Sequence, residues 1–251
     1  MTVTDIGYGA QFESWYDRIF PKDGSAARTA ERLASWHPDP SAGTCELGVG
    51  SGRIAIPLTT RVGPVTGVDS SPQMLDALRA DPESALVTPV HADIRRWRGE
   101  EGFGLVYIVC ATLCMITDPG EQRAVVAGAA ASLVPGGELV IEVPNKPAVL
   151  ALHEGRSRAT YFVPYPEPDT GLQTHSTLLD NDLWHCSHLW FENGRVRIGS
   201  ELGRLTAQDE LDAYATAAGL RPAGRYGDWE LGDLTEGSAM VVARYRKPAG
   251  P

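Results

Sequence analysis

The chain has 251 residues, of which 43% are hydrophobic and 22% are charged, and its formal net charge is −10 at pH 7. Such values are typical of one globular α/β domain with an elaboration. The negative charge argues against nucleic acid as the main partner, because binding to a polyanion depends on clustered Lys and Arg. The one tight basic cluster, Arg95, Arg96 and Arg98, is predicted to be a solvated helix start or loop.

The sequence also lacks the signals of a membrane protein. No apolar run approaches the ~18 residues that a membrane span needs, and the first residues lack the basic and apolar regions of a secretory signal. We therefore expect no membrane partner and a cytoplasmic location. The four cysteines form no CxxC pair, and Cys45 and Cys110 lie in apolar runs. The simplest interpretation is that they are buried free thiols in a reducing compartment.

The first part of the chain alternates between helical and extended patterns. Spaced apolar residues predict two helices between residues 10 and 36, separated by a loop at Pro21–Gly24. Strands are then predicted at 44–47, 64–68, 86–90, 103–110 and 138–143, and helices at 53–61, 72–80 and 122–133. This alternation predicts parallel βαβ units in a doubly wound sheet, with ligands at the carboxyl ends of the strands.

The pattern changes after about Asn145. Short strands are predicted at 172–178, 183–191 and 195–203, and Asn193-Gly194 predicts a hairpin because both positions tolerate positive φ. A helix capped at Thr206 with Asp209 at its third position follows, and two antiparallel strands at 221–229 and 238–245 end the chain.

We therefore predict an α/β fold: a Rossmann-like, seven-stranded, mostly parallel sheet with a β-rich insert, or lid, after the fifth strand. Residues 1–149 and 204–251 are assigned to this core, together with an N-terminal helical cover. Residues 150–203 are assigned to the insert.

A glycine-rich turn follows the first predicted strand. Gly48, Gly50 and Gly52 allow a strand to turn sharply into a helix while the backbone approaches a ligand. The third glycine comes one residue earlier than in the dinucleotide pattern G-x-G-x-x-G. Glu46 stands two residues before the first glycine, where a carboxylate would repel a pyrophosphate but would suit an ammonium group. The pattern thus favours a ligand with a cationic amine and no phosphate.

Two more acidic residues follow the next strands. Asp69 ends the second strand, where a carboxylate can hold a ribose diol with two hydrogen bonds. Asp93 follows the third strand and can accept a hydrogen bond from the exocyclic amine of a purine, while Ile94 and Met74 sandwich the ring. An amine, a ribose and an adenine at the ends of three neighbouring strands describe S-adenosylmethionine.

These segments resemble, in order, the motifs of the class I S-adenosylmethionine-dependent methyltransferases, and the resemblance covers roughly residues 10–145. The segments are Glu46-Leu-Gly-Val-Gly-Ser-Gly52, Gly67-Val-Asp69 with Ser71-Pro-Gln-Met74, Ala92-Asp93, and Leu133-Val-Pro-Gly-Gly-Glu-Leu139. The resemblance implies S-adenosylmethionine as cofactor and S-adenosylhomocysteine as product. The implied cofactor-binding residues are Glu46, Gly48, Gly50, Gly52, Asp69, Ser70, Met74, Asp93, Ile94 and Cys110.

The layout of the insert and the segment Trp15-Tyr16-Asp17 also resemble small-molecule members of that family, such as aminosugar N-methyltransferases and glycine-type N-methyltransferases. The expected activity is methyl transfer to an O or N atom of a small, partly apolar metabolite of secondary metabolism, such as a natural-product intermediate. Aromatic residues of the insert favour such an acceptor, namely Tyr161, Phe162, Tyr165, Trp184 and Trp190.

Candidate catalytic residues are few, because a sulfonium methyl is already activated and the enzyme adds chiefly geometry. A general base is needed only for a poorly ionised nucleophile. Tyr16 can orient the donor or the acceptor, or it can pack in the core. Thr112 follows the fourth strand and either forms a wall of the site or acts on the acceptor as a catalytic residue. His175 and His188 of the insert are candidate bases. His185 and His188 face opposite sides of a regular strand, so we predict no shared metal site and no metal.

Two other functions remain open at this point. A protein on this scaffold can bind S-adenosylmethionine and catalyse a cyclisation or rearrangement that does not consume the methyl group. It can also be a non-catalytic binding subunit of a methyltransferase complex. We further expect that Asp228-Trp229-Glu230 form either a rim of the acceptor pocket or a solvated turn, and that the insert can form a homodimer interface.

Overall fold

The computed structural model describes residues 3, 5–12 and 15–250. The predicted N-terminal helix crosses residues 13 and 14, which lie outside the described residues. The strands, in chain order, are β1 (Gly43–Leu47), β2 (Val65–Asp69), β3 (Val87–His91), β4 (Phe103–Ile108), β5 (Leu133–Pro144), β6 (Arg158–Pro164), β7 (Gly171–Leu178), β8 (Leu183–Glu192), β9 (Arg195–Arg204), β10 (Arg221–Tyr226) and β11 (Met240–Arg246).

The helices lie between these strands and before the first of them. In chain order they are α1 (Tyr8–Phe12), α2 (Tyr16–Ile19), α3 (Gly24–Trp36), α4 (Ala55–Val62), α5 (Pro72–Ala80), α6 (Pro119–Ser132), α7 (Lys146–His153) and α8 (Gln208–Ala217). Within the described residues, no helix has both the length and the apolar character required to cross a bilayer.

The central sheet has seven strands in the order β10-β11-β5-β4-β1-β2-β3. Strand β11 pairs antiparallel with both β5 and β10, and the other pairs in the sheet are parallel. A second, four-stranded sheet follows β5 in the chain and has the order β6-β7-β8-β9, with every pair antiparallel. These observations confirm the predicted Rossmann-like sheet with a β-rich insert after the fifth strand.

Strand β4 shows how the core forms on both faces of the central sheet. Successive side chains of a strand point to opposite faces. Val106 and Ile108 pack with apolar residues of α6 and α8, whereas Leu105 and Tyr107 pack with those of α3 and α4. All four are fully buried. The near-continuous apolar sequence of this strand is therefore explained by burial on both faces, as predicted.

The N-terminal helices connect the two sheets. Phe12, Trp15 and Ile19 form a buried cluster with Met74 of α5 and Trp190 of β8. Aromatic contacts add geometric specificity, since the rings of Phe12 and Trp15 lie 4.8 Å apart between centroids. This cluster fixes α1 and α2 between the insert and the Rossmann-like core.

The second sheet is close to the expected one, and its tightest turn is confirmed. Asn193 and Gly194 have φ values of 50° and 71°, as the two-residue turn between β8 and β9 requires. Strand β6 and helix α7 were not predicted. The residues of β6 alternate only weakly in burial, because it is an edge strand with one side in solvent.

One helix start was predicted one residue too early. The backbone N–H of Ala207 donates to Glu210 Oε2 over 3.0 Å, so Glu210 and not Asp209 closes the first turn of α8. Thr206 instead donates its hydroxyl hydrogen to Gln122 Oε1 inside the core. Its side chain is therefore used in tertiary packing and is not available as a cap.

Candidate active site

A cavity of about 750 Å³ opens where the parallel strands end. It lies at the carboxyl ends of β1 to β5, beside the point where the strand order reverses between β1 and β4. Ligands of doubly wound sheets collect at this switch point. Helices α1 and α2 form one wall of the cavity, and β8 and β9 of the insert form another.

The glycine turn after β1 forms the floor of the cavity. Gly48, Gly50 and Gly52 all have positive φ, at 89°, 53° and 83°. A Cβ on Gly48 would lie 2.3 Å from Thr112 Cγ2, and one on Gly52 would lie 2.5 Å from a methyl carbon of Leu78. A Cβ on Gly50 would meet no atom of the protein, and this residue lines the cavity. Two of the glycines therefore allow close packing, and the third leaves space for a ligand.

Glu46 is a buried carboxylate at the end of β1. Only 3% of its surface is exposed, that small part borders the cavity, and its Oε2 accepts a hydrogen bond of 2.9 Å from the Tyr107 hydroxyl. Within the described residues, no Lys or Arg lies at ion-pair distance from it. Burial raises the pKa of Glu46 to about 8, and the nearby Asp69 carboxylate adds to the rise. A cation bound in the cavity would reverse this shift.

Asp69 ends β2 with both oxygens anchored to the backbone. Its Oδ2 accepts from the N–H of Gly50 and its Oδ1 from the N–H of Ser71, each over 2.8 Å. Because a carboxylate oxygen can accept two hydrogen bonds, each oxygen keeps one free acceptor site. Two free sites on a carboxylate that lines the cavity match the two hydroxyls of a ribose diol.

Asp93 lies after β3, and its environment is more restricted than the sequence indicates. The Arg95 guanidinium binds both of its oxygens, with the shortest contact at 2.7 Å, and the Arg95 backbone N–H binds Oδ1. Burial opposes ionisation, but the hydrogen bonds and charge of Arg95 outweigh it and hold the pKa of Asp93 below its ordinary value. A contact between Asp93 and an adenine amine therefore requires a shift of this guanidinium.

The prediction for the basic cluster is wrong for Arg95. Arg96 and Arg98 are exposed in a loop, as expected, but Arg95 lines the cavity and also pairs with Glu121 over 3.2 Å. The reason is that the guanidinium of Arg95 donates hydrogen bonds to the carboxylate of Asp93, two residues earlier. Two residues of a loop show no helical or strand periodicity, so the sequence did not predict this contact between Asp93 and Arg95.

Strand β4 ends in a strained turn that faces the cavity. Cys110 and Ala111 have φ values of 54° and 60°, a left-handed conformation that costs non-glycine residues free energy. The turn is held by a hydrogen bond of 2.7 Å from the Cys110 N–H to Glu142 Oε2. The Cys110 side chain is exposed towards the cavity. The prediction that Cys110 is buried is thus wrong, because the turn rotates it out of the strand, whereas Cys45 is buried.

The cavity brings together most of the predicted cofactor residues. Ser70, Met74 and Ile94 line it together with the residues described above, and Gly52 packs beneath its floor. Of the four catalytic candidates, Tyr16 and Thr112 line the cavity. Burial raises the pKa of Tyr16 far above its ordinary value, so its hydroxyl keeps its proton. The Thr112 hydroxyl donates to the Val109 carbonyl over 2.8 Å and packs on Gly48, which suits a wall residue.

The two histidine candidates lie elsewhere. His175 is exposed on β7 and contacts Thr160 and Gln173 on the outer side of the insert. Thr174 is buried on the inner side, so the alternation of the strand turns His175 away from the cavity. His188 lies on the inner side, and its Nε2 lies 3.3 Å from Glu201 Oε1, a residue that lines the cavity. The structure therefore separates His175 from the other candidates.

Glu142 is a site residue that was not predicted. This residue lies on β5, is 8% exposed and lines the cavity next to Cys110. Its Oε1 accepts a hydrogen bond of 2.6 Å from the Trp229 indole N–H. Burial raises the pKa of Glu142 above its ordinary value. The signal that could have revealed it is a single acid in the apolar run Leu139–Val143, where a buried strand rarely tolerates a charge without a function.

A second cavity of about 270 Å³ adjoins the first across Arg53, Cys110 and Glu142. Its outer wall carries Trp229 and an ion pair of 3.0 Å between Arg28 and Glu230. Trp229 and Glu230 line this second cavity and not the main one, so a rim of the acceptor pocket at Asp228-Trp229-Glu230 stays a prediction.

The main cavity fits an adenosyl ligand with a cationic amino acid end. Glu46 supplies a buried carboxyl group that a bound cation would ionise, and Asp69 supplies two free acceptor sites. Met74 and Ile94 supply apolar surface for a ring. These features match the amine, the ribose and the adenine of S-adenosylmethionine, and none of them provides the cations that a pyrophosphate needs.

Comparisons with known proteins agree with this fit. A family profile described as a methyltransferase domain matches residues 45–137. No curated protein matches the chain. Among solved structures, the chain is similar to the CcbJ methyltransferase from Streptomyces caelestis, with 28% identity, a TM-score of 0.85, and coverage of 96% of this chain and 98% of that one.

Two more distant structures share the fold. One is CalS10, bound to S-adenosylmethionine, an amino pentose methyltransferase from Micromonospora echinaspora, with 22% identity, a TM-score of 0.66, and 97% and 98% coverage of the two chains. The other is KedS8, a sugar N-methyltransferase from Streptoalloteichus sp., with 19% identity, a TM-score of 0.68, and 93% and 92% coverage. The chain therefore carries a methyltransferase domain at residues 45–137, and its fold and cavity are similar to those of class I S-adenosylmethionine-dependent methyltransferases.

Proposed function

We propose that this protein transfers the methyl group of S-adenosylmethionine to a nitrogen or oxygen atom of a small, partly apolar metabolite, with nitrogen favoured. One observation carries the proposal. The cavity that contains Glu46 and Asp69 continues without interruption to Trp184 and Leu202 of the insert. A donor bound at one end and an acceptor bound at the other would therefore meet inside a single cavity.

The cofactor end of the cavity acts through charge and hydrogen bonding. When bound, S-adenosylmethionine supplies an activated methyl group on a sulfonium. In this proposal Glu46 attracts the cationic amino end, Asp69 accepts hydrogen bonds from the ribose hydroxyls, and Met74 and Ile94 contact the adenine. The glycine turn brings its backbone close to the ligand, and Cys110 lies beside it at the end of β4. Tyr16, protonated and buried, donates a hydrogen bond that orients the donor or the acceptor.

The acceptor end contains several apolar side chains. Met115, Pro144, Trp184, Leu202 and Met240 line it and supply contact surface for an apolar body. The volume of the whole cavity lies within the range of about 300–1,000 Å³ that is usual for small-molecule sites. These features favour a metabolite over a folded macromolecule. They also support assigning residues 150–203 to a unit that covers the acceptor, and the remainder to the cofactor-binding core.

Glu142 is a polar group at the acceptor end of the cavity. Each of its oxygens accepts one hydrogen bond, from Cys110 and from Trp229, and each keeps one acceptor site. Its raised pKa suits a group that accepts a proton from an amine as the new bond to carbon forms. The names of CalS10 and KedS8 as amino pentose and sugar N-methyltransferases further support a nitrogen acceptor.

The proposal is tested by turnover with defined acceptors. Purified protein is incubated with S-adenosylmethionine and a matched panel of amino sugars, deoxysugars and small amphiphilic amines. We expect S-adenosylhomocysteine and a methylated amine in equal amounts, measured by mass spectrometry. The hydroxyl analogue of each amine is the matched control and should react more slowly. An acceptor that is converted without release of S-adenosylhomocysteine would contradict methyl transfer and indicate a rearrangement.

A further inference from the structure

The inner side of the insert carries a cluster of potential metal ligands that the proposed reaction does not use. Atoms of Cys186, His188 and Glu201 that can bind a metal all lie within 4.8 Å of one another. A thiolate, an imidazole and a carboxylate form a set that binds Zn²⁺ in proteins.

The backbone fixes the relative positions of the three residues. Cys186 and His188 are alternate residues on β8, so their side chains leave the same side of the strand. Glu201 is the direct cross-strand partner of Cys186 in the antiparallel pair β8–β9. Directly opposed side chains in such a pair lie close together. The cluster is thus built on paired strands, which hold it more rigidly than a loop would.

The second nitrogen of His188 has a partner of the kind that metal-binding histidines have. Nδ1 lies 2.9 Å from the hydroxyl oxygen of Thr174, which is 1% exposed. When Nδ1 donates to this hydroxyl, the lone pair of Nε2 points towards the Glu201 carboxylate at 3.3 Å. A proton on Nε2 makes this contact a hydrogen bond, and a cation in place of that proton would bind both atoms. Outer hydrogen bonds of this type orient the imidazole of a metal ligand.

The charges of the cluster also favour a divalent cation. Cys186 is 1% exposed, so a bound cation would be needed to stabilise its thiolate. Glu201 forms no ion pair with any Lys or Arg of the described chain, and its only basic neighbour is His188. A thiolate and a carboxylate together balance the charge of Zn²⁺. Metal binding therefore compensates for the cost of ionising a buried thiol.

We propose that Cys186, His188 and Glu201 bind one zinc ion, whose fourth coordination position faces the cavity. Glu201 lines that cavity, whereas Cys186 and His188 lie behind it, so the ion would enter from the side of Glu201. Three protein ligands with one open position distinguish zinc sites that contact substrate from closed structural sites. The ion would present a Lewis acid to the acceptor end of the cavity, where it can hold a heteroatom of the acceptor. The site does not depend on the proposed methyl transfer.

The prediction of no metal rests on His185 and His188 alone, two histidines of one strand. His185 and His188 do lie on opposite sides of β8. The third ligand comes from the neighbouring strand, and its position depends on the register set by the turn at Asn193-Gly194. That register places Glu201 opposite Cys186.

The test uses the full untagged chain, stripped with a chelator and reloaded with Zn²⁺ or Co²⁺. We expect one metal ion per chain, measured by elemental mass spectrometry. The Co²⁺ form should show a thiolate-to-metal charge-transfer band and the intense visible bands of a tetrahedral site. Cys186→Ser, His188→Gln and Glu201→Gln should each weaken zinc binding by more than the ~10–100-fold expected for the loss of an outer partner.

Two matched variants serve as controls. Cys114→Ser changes another buried thiol, and His185→Gln changes the histidine on the opposite side of β8. Both should keep one zinc per chain with unchanged affinity. The Co²⁺ spectrum of the unmodified chain decides the question even when a variant fails to fold. Substoichiometric metal, a spectrum without a thiolate band, or equal losses in the controls would overturn the site, whatever the result for methyl transfer.

Discussion

The Tyr107 hydroxyl donates a hydrogen bond of 2.9 Å to Glu46 Oε2 at the buried end of β1. The bond stabilises the charged form of Glu46, yet burial outweighs it and raises the pKa to about 8. Near neutral pH, much of Glu46 is therefore protonated before a ligand arrives. A cationic ligand favours the carboxylate and lowers this pKa, so ligand binding and loss of a proton are linked.

The first prediction concerns the pH dependence of cofactor binding. Because Glu46 has a higher pKa in the free protein than in the complex, affinity for S-adenosylmethionine should rise as pH increases towards about 8. It should fall above that pH, where the amino group of the ligand loses its proton. At about pH 6.5 the amino group of the ligand stays protonated, so binding should release about one proton from the protein. Calorimetry in two buffers of different ionisation enthalpy measures this release. Glu46→Gln should abolish it and weaken binding, whereas Tyr107→Phe should shift it to higher pH. A wild-type protein that releases no proton would contradict the role of Glu46.

The second prediction concerns the ribose contacts of Asp69. Asp69→Ala removes both free acceptor sites and also leaves the N–H groups of Gly50 and Ser71 without their partner. We expect cofactor affinity to fall by about 10–100-fold, which corresponds to about 1.4–3 kcal/mol. Asp69→Asn keeps the shape and one acceptor oxygen, so its loss should be smaller. Titration calorimetry with S-adenosylhomocysteine measures both variants, and unchanged affinity in Asp69→Ala would disprove the ribose assignment.

The third prediction separates backbone strain from ligand contact at the glycine turn. Gly50 and Gly63 both have positive φ, at 53° and 80°, and a Cβ on either would meet no protein atom. Gly50→Ala should cost about 1–2 kcal/mol of stability. Gly63→Ala should cost more, because Gly63 has a ψ of −150° and that backbone region is open essentially to glycine alone; urea unfolding measures both. Only Gly50 borders the cavity, so only Gly50→Ala should lose cofactor affinity. Equal affinities in the two variants would show that the ligand does not approach Gly50.

The site residues that can be predicted from the sequence are those whose position depends on local backbone geometry. Gly48, Gly50 and Asp69 belong to short segments whose function depends on their own turn or strand end, and the structure places all three at the cavity. Their spacing alone therefore locates the floor and one wall. The outline of the central sheet follows for the same reason, since buried parallel strands have near-continuous apolar sequences.

Other features depend on contacts between segments far apart in the chain. His175 turns outward because Thr174 and Ser176, on either side of it, are the buried residues of β7. Polar residues on both faces of that strand gave no hydrophobic pattern from which to choose the inner one. Glu142 gains its hydrogen-bond partner Trp229 from a segment 87 residues later. Such pairs depend on the tertiary fold and are not encoded in local periodicity.

The fourth prediction concerns the homodimer expected through the insert. Phe162 and Ile198 lie on the insert and are 56% and 66% exposed, which is unusual for large apolar residues. We expect the protein to sediment as a dimer, and Ile198→Glu to shift it to the monomer. Leu152→Glu is the matched control, because Leu152 is 60% exposed on α7, outside the insert sheet. A wild-type monomer at micromolar concentration would rule out this interface.

The last prediction concerns Glu142 as the group that accepts a proton from the acceptor amine. Glu142→Gln keeps the hydrogen bond from Cys110 but removes the charge, so kcat should fall by about 100-fold or more while the cofactor still binds. In the wild type, kcat/KM should decline as pH falls through the raised pKa of Glu142, because only the carboxylate can accept the proton. Trp229→Phe removes a hydrogen bond that stabilises the carboxylate and should move this decline to higher pH. This shift of the pH profile distinguishes a base from a residue that only supports the turn at Cys110. If the role of Glu142 were purely structural, Trp229→Phe would lower the rate but leave the pH profile of kcat/KM unchanged.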